Sequence, residues 1–145
     1  MADYDDPATE EQWCSERRAE VVDYLEAEGV THGRVGDWPA WHTAPYVSVW
    51  AIEGKERPCW VGWWVICGDL PTDYVSAADI KHPREAVRTF GTQWREQARL
   101  MSSGERPADI YMGGPEDRPA RALLLEARAT LLLTFADDDS IWKDV

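Results

Sequence analysis

One segment constrains the fold more than any other: the nine residues from Cys59 to Cys67, CWVGWWVIC, are apolar at almost every position. Because side chains of a strand alternate between its two faces, this segment predicts a strand that is apolar on both. Such a strand belongs in the centre of a sheet with both faces covered, or presents one face to a partner or pocket. Gly62, which lies between bulky aromatics, indicates a bulge or a close approach by another group.

The flanking segments supply the other elements. Residues 45–53 predict a strand that is joined to the aromatic one by a turn at 54–58, with short strands at 74–76 and 109–112. Helices are predicted from a capping box at Thr9–Gln12 to Gly29, from Pro83 to about Ser103, and over about 119–136. We therefore predict an α+β fold in which a small antiparallel sheet of three to four strands is flanked by three helices. The 145 residues suit one domain, 1–145, with a disordered acidic N-terminus over residues 1–8.

The charge of the chain is negative and unevenly distributed. The net charge is −12, and residues 1–28 carry ten acidic side chains against Arg17 and Arg18. Nucleic acid and anionic membrane surfaces are disfavoured as partners, because both are bound through Lys and Arg. A basic protein partner is favoured by electrostatic attraction. The alternative is that the acidity only keeps the protein in solution.

Hydropathy, cysteine spacing and the absence of known motifs exclude or disfavour several classes of protein and site. No apolar run approaches the roughly 20 residues that span a bilayer, and the acidic N-terminus lacks the apolar core of a signal peptide, so we expect a cytoplasmic protein. The three cysteines, Cys14, Cys59 and Cys67, lack the spacing of metal ligands. They indicate a reducing compartment, and we expect all three thiols to be buried or half-buried. No nucleotide-loop, hydrolase or zinc-protease motif occurs, and we expect neither a metal nor a cofactor.

Asp69, Asp73 and His42 are the residues with the clearest chemical potential. Two carboxylates beside a histidine could perform acid–base chemistry in a cleft walled by Trp41 and Trp64, which would make the protein a small enzyme or ligand binder. The alternative is turn chemistry, in which Asp69 and Asp73 bond to nearby backbone and His42 is a packed structural residue.

Tryptophan is unusually concentrated, with six between positions 38 and 64. Most should fill the core, and one or two exposed ones could anchor a partner. The leading hypothesis is a non-enzymatic binding module, similar in kind to an inhibitor or immunity protein, that engages a basic protein. A homodimer joined through the leucine-rich third helix, residues 119–136, is a further alternative. The expected binding residues are Trp38, Trp41, His42, Trp60, Trp64, Asp69, Asp73 and Tyr74.

The central motif also resembles a known family. The segment GWWVICGDLPTD at 62–73 and the helix segment PREAVRTF at 83–90, followed by Trp94, are similar to a bacterial family of domains of unknown function numbered 4826. The upstream segment APYVSVW at 44–50 fits the same pattern, and the resemblance covers about residues 10–142. It implies an intracellular bacterial protein and brings no catalytic role with it.

Overall fold

A four-stranded antiparallel sheet follows the first helix of the chain and precedes the other two. The computed structural model describes residues 3–103 and 118–145, and the side chains of 118–120 are not described. Within these residues the elements are α1 (Pro7–Ala27), β1 (Trp41–Thr43), β2 (Val47–Glu53), β3 (Val61–Gly68), β4 (Leu70–Ser76), α2 (Pro83–Ser102) and α3 (Arg118–Asp137). This arrangement confirms the α+β fold class. The strand expected at 109–112 lies outside the described residues.

The aromatic strand β3 is central, as its composition predicts. The strand order is β1-β2-β3-β4, so β3 is paired on both edges. Residues Trp64 to Cys67 are all buried although successive side chains point to opposite faces, which means that both faces of this strand are covered. The β-branched residues around them favour the extended conformation and pack well on a pleated surface.

Helix α1 packs on one face of the sheet. Val21 and Leu25 are fully buried in a cluster with Trp50, Val65 and Cys67, which agrees with the apolar face expected of this helix. At its C-terminal end Gly29 has a φ of 67°, the left-handed conformation in which a glycine ends a helix at little cost.

The start of α1 lies earlier than expected. The Asp6 side chain accepts a hydrogen bond from the Thr9 backbone N–H at 3.1 Å, and Pro7 occupies the first turn. Asp6 therefore caps the helix in place of the predicted capping box. Helix α1 therefore includes residues 7 and 8 of the segment 1–8 that was expected to be disordered.

The loops around β3 differ from the sequence prediction in two places. Cys59 precedes the strand and is exposed with a φ of 71°, because the Glu53 carboxylate accepts its backbone N–H at 2.6 Å and holds it in the loop; the prediction that its thiol is buried or half-buried is wrong. The segment 68–73, expected as a turn, contains the first four residues of β4, and only Asp69 lies between β3 and β4. Pro71 is tolerated because β4 is an edge strand.

The chain divides into two compact units, residues 1–86 with Val145 and residues 87–144. The first contains the sheet and α1. In the second, α2 buries the predicted stripe of Val87, Phe90, Trp94, Ala98 and Met101. The Arg88 guanidinium of α2 donates hydrogen bonds to the Ala136 carbonyl oxygen and the Asp137 carboxylate at the end of α3. No helix in the described part of the chain is long and apolar enough to cross a membrane.

Candidate functional site

A surface pocket lies where the start of α1 meets the loop that precedes β1. Arg18 fixes this loop to the helix, since its guanidinium donates to the Gly36 and Val35 carbonyl oxygens at 2.9 and 3.1 Å. The next residues along the loop include Trp38, whose side chain is 46% exposed. The helix and the loop thus present a large indole at the surface on an anchored backbone.

His42 supports this pocket from the edge strand β1. Its ring stacks on Trp13 at 6.2 Å between centroids, and the Trp38 ring meets it edge-on at 5.4 Å. The His42 Nε2 atom lies 3.1 Å from the Glu10 carboxylate. This half-buried imidazole, in contact with one carboxylate and two indoles, supports Trp38, which agrees with the alternative that His42 is a packed structural residue.

The cavity beside Trp38 has a volume of about 420 Å³ and an acidic lining. Three carboxylates face one guanidinium, and Asp37 also pairs with the exposed Arg34 at 2.6 Å. Glu11 is exposed on the first turns of the helix. An indole wall beside carboxylates suits a cationic side chain, which gains both ion pairing and a cation–π contact. The lining residues are Pro7, Glu10, Glu11, Ser15, Arg18, Asp37 and Trp38.

The structure does not bring Asp73 near His42. His42 lies on β1 and Asp73 on β4, the two outer strands, so three strand spacings of about 4.8 Å, or about 14 Å, separate them. The pairing register also places them on opposite faces, since His42 aligns with Ser48 and Cys67 whereas Asp73 aligns with Ile66 and Val49. A general base needs hydrogen-bond reach of its partner. The predicted Asp69/Asp73/His42 cleft is therefore wrong, because two of its members cannot meet.

The remaining predicted site residues are distributed over the sheet. Trp41 and Trp64 are only 7% and 3% exposed, so they are core residues and neither can serve as a surface anchor. Asp69 is exposed in the β3–β4 turn, where its backbone N–H donates to the Tyr46 carbonyl oxygen. Trp60 is 60% exposed in the β2–β3 loop, among basic side chains.

Tyr74 contributes to an aromatic group on the α1 face of the sheet. Its ring meets Tyr24 of the helix at 5.9 Å and Trp63 of β3 at 5.6 Å, both edge-on. Burial, and next the negative charge of Asp73, raise the pKa of the Tyr24 phenol, so it stays neutral in water. This group stabilises the packing of α1 on the sheet.

Sequence reasoning missed the acidic partners of Trp38. Glu10 lies 32 residues from His42, and Glu10 and Glu11 appear in the sequence only as residues of a helix start. No local spacing signals their approach, because the packing of α1 on the sheet creates it. Among the described residues, no group of three or more His, Cys, Asp and Glu side chains is placed to hold a metal ion.

Comparison with known proteins identifies the family of this chain. Neither the curated proteins nor the solved structures contain a match to this chain. A family model described as a domain of unknown function, DUF4826, matches residues 7–142, which include the seven helices and strands of the described residues. This chain belongs to the DUF4826 family.

Proposed function

We propose that this protein is a non-enzymatic binding module that engages a basic protein partner, in the manner of an inhibitor or immunity protein, in the cytoplasm of a bacterium. The observation that carries this proposal is the half-exposed Trp38 beside the carboxylates of Glu10, Glu11 and Asp37. The three cysteines are free thiols, which suits a reducing compartment.

The pocket has the chemistry of an interface hot spot. Tryptophan is the residue type that most often dominates binding energy, and Trp38 is supported by the His42 and Trp13 rings beneath it. A lysine or arginine from the partner would lie against the indole and reach the Glu11 carboxylate. The net charge of −12 would accelerate encounter with a basic protein.

Trp60 does not belong to this surface. Its pocket contains Lys55, Arg57 and Lys81, which would repel a basic partner. Trp60 therefore provides a matched control, since it is the same residue type and is exposed to a similar degree.

The test is affinity capture from a lysate of the source organism with tagged wild type, Trp38→Leu, Glu11→Gln and Trp60→Leu. We expect wild type and Trp60→Leu to retain one basic protein that Trp38→Leu loses. With the purified partner, Trp38→Leu should weaken binding at least about tenfold, and Glu11→Gln should weaken it less. Raising salt from about 0.1 to 0.5 M should weaken the wild-type complex.

Capture of the same protein by Trp38→Leu at wild-type affinity would refute the proposal, as would a partner with an acidic surface. Each variant is checked by its far-ultraviolet circular dichroism spectrum. All three substitutions are at exposed positions, so loss of binding would not reflect loss of the fold.

A further inference from the structure

A second pocket, of opposite charge, lies at the β2–β3 loop. Its volume is about 580 Å³, within the range of cavities that hold small molecules. We call it the hairpin pocket, and it is independent of the Trp38 pocket of the proposed function. Its lining residues are Thr31, Gly54, Lys55, Glu56, Arg57, Trp60, Val61, Gly62, Trp63, Ser76, Ala77, Ala78 and Lys81.

The charge of the hairpin pocket is positive in a strongly acidic protein. Lys55, Arg57 and Lys81 face a single carboxylate, Glu56, which gives the lining a formal charge of +2. The Lys81 ammonium donates to the Ala78 carbonyl oxygen at 3.0 Å, so it is directed along the pocket wall. None of the three cations forms an ion pair with a carboxylate among residues 3–103 and 118–145.

Trp60 supplies a flat apolar wall beside these cations. Its ring is exposed, and the Arg57 guanidinium carbon lies 4.5 Å from the ring centroid. Backbone hydrogen bonds fix the loop that holds it. The Trp60 backbone N–H donates to the Arg57 carbonyl oxygen, and the Gly54 backbone N–H donates to the Trp60 carbonyl oxygen. Glu53 holds Cys59, the preceding residue, in a left-handed conformation that non-glycine residues adopt only at a cost.

The floor of the pocket is built from closely packed backbone. A Cβ atom on Gly62 would lie 2.8 Å from the Gly54 Cα atom, so β3 and the loop that follows β2 meet here at a distance that only glycine allows. The Gly62 carbonyl oxygen accepts a hydrogen bond from the Ala77 backbone N–H at 3.0 Å, and the Trp63 indole N–H donates to the Thr31 carbonyl oxygen at 3.3 Å. The pocket is therefore formed before any ligand binds, which lowers the entropic cost of binding.

We propose that the hairpin pocket binds a small organic phosphate that carries a planar ring, of the chemical class of a nucleoside monophosphate. A phosphate monoester carries a charge of about −1.5 to −2 at pH 7, which balances the formal +2 of the lining. Arg57 and the two lysines provide donors for its oxygens, and the ring packs on the Trp60 indole. A carboxylate offers only one negative charge and satisfies the cations less well.

The test is isothermal titration calorimetry with four nucleoside monophosphates, AMP, GMP, CMP and UMP. Inorganic phosphate, adenosine and benzoate are titrated alongside them. We expect at least one monophosphate to bind saturably and about tenfold or more tighter than inorganic phosphate, adenosine or benzoate. Arg57→Gln and Trp60→Leu should each weaken monophosphate binding about tenfold. Arg57→Gln removes a donor to the phosphate, and Trp60→Leu removes the indole on which the ring packs.

Matched controls separate the pocket from general effects of charge and aromatic loss. Lys143→Gln removes an exposed lysine outside the pocket, and Trp38→Leu removes the other exposed tryptophan; both should bind the monophosphate as wild type does. The proposal is overturned if none of the four monophosphates binds up to about 10 mM, or if benzoate binds as tightly. It is also overturned if the controls lose binding as much as Arg57→Gln. A failure here leaves the Trp38 proposal intact, because the two pockets share no residue.

Discussion

Ser48 is a fully buried hydroxyl that satisfies two neighbours in the sheet. It accepts the Trp50 indole N–H at 2.9 Å and donates to the Cys67 carbonyl oxygen at 3.1 Å. Ser48→Ala would leave the indole N–H buried without its acceptor, and we expect the free energy of unfolding to fall by about 1–3 kcal/mol. Urea denaturation measures this, and the exposed Ser103→Ala should change it by less than about 0.5 kcal/mol. Equal effects would mean that the network contributes nothing.

The buried thiols of Cys14 and Cys67 make the stability of the fold depend on pH in the alkaline range. Burial, assisted at Cys14 by the negative charge of Glu10, raises the pKa of Cys14 and of Cys67 from 9.0 to about 11. Above pH 9 the unfolded chain loses these protons while the folded chain keeps them, so the unfolded state gains stability as pH rises. We therefore expect the free energy of unfolding to fall between pH 9 and pH 11. Cys14→Ala should make the fall shallower in denaturation curves, and an unchanged slope would refute the link.

At the scale of elements, the contact between Gly62 of β3 and Gly54 is asymmetric. A Cβ atom on Gly62 would lie 2.8 Å from the Gly54 Cα atom, whereas a Cβ atom on Gly54 would have its nearest neighbour, the Gly62 Cα atom, at 3.9 Å. Because backbone cannot move aside as a flexible side chain does, Gly62→Ala should destabilise the protein by about 1–3 kcal/mol. Gly54→Ala should cost less than about 1 kcal/mol, and thermal denaturation of the pair compares them. Similar losses would refute the asymmetry.

The elements predicted well are those with a local periodic signal. The buried stripe of α2 from Val87 to Met101 repeats at helical spacing. The apolar composition of β3 predicted a strand that is central or presents one face to a partner, and β3 is central. The sequence predicted only residues 74–76 of β4 as a strand, because Asp69, Pro71 and Asp73 have the composition of a turn. Pairing with β3 makes Leu70 to Asp73 part of the strand as well. Turn composition cannot distinguish these outcomes, since the deciding hydrogen bonds are tertiary.

The candidate sites show the same limit more sharply. The sequence indicated that one or two tryptophans would be exposed, and Trp38 and Trp60 are. It did not indicate that their surroundings carry opposite charge. Glu10 joins Trp38 through packing of α1, and Lys81 joins Trp60 through the loop after β4. These residues are distant in the sequence and are brought together by the tertiary fold, so no local sequence spacing predicts that they are neighbours.

The homodimer through the third helix stays a prediction. Leu123 is 68% exposed on α3, and Leu124 beside it is also exposed, which is unfavourable in water unless a partner covers them. If residues 119–136 join two copies, light scattering should give twice the 16.5 kDa mass of the chain, and Leu123→Glu should return it to the monomer mass. A monomer at all concentrations would contradict this prediction.

For the whole molecule, the net charge of −12 makes stability depend on salt. The outer face of α1 carries exposed Glu16, Glu20, Asp23 and Glu26, and the ion pairs of Arg17 with Glu16 and Glu20 offset only part of their repulsion. Surface pairs of this kind contribute about 0–1 kcal/mol each, whereas repulsion among all the acids acts over the entire surface and is screened by salt.

We therefore expect the melting temperature to rise by a few degrees between about 0.02 and 0.3 M NaCl, where the screening length falls below about 10 Å. Differential scanning calorimetry measures it. Asp23→Asn with Glu26→Gln removes two of the repelling charges on α1 and should make the rise smaller, while raising the melting temperature at low salt. Since both side chains are exposed and have no basic partner among the described residues, the substitutions test charge with little change in packing. A melting temperature that fell with added salt would mean that attractive pairs, and not the excess of acid, dominate the electrostatics of the fold.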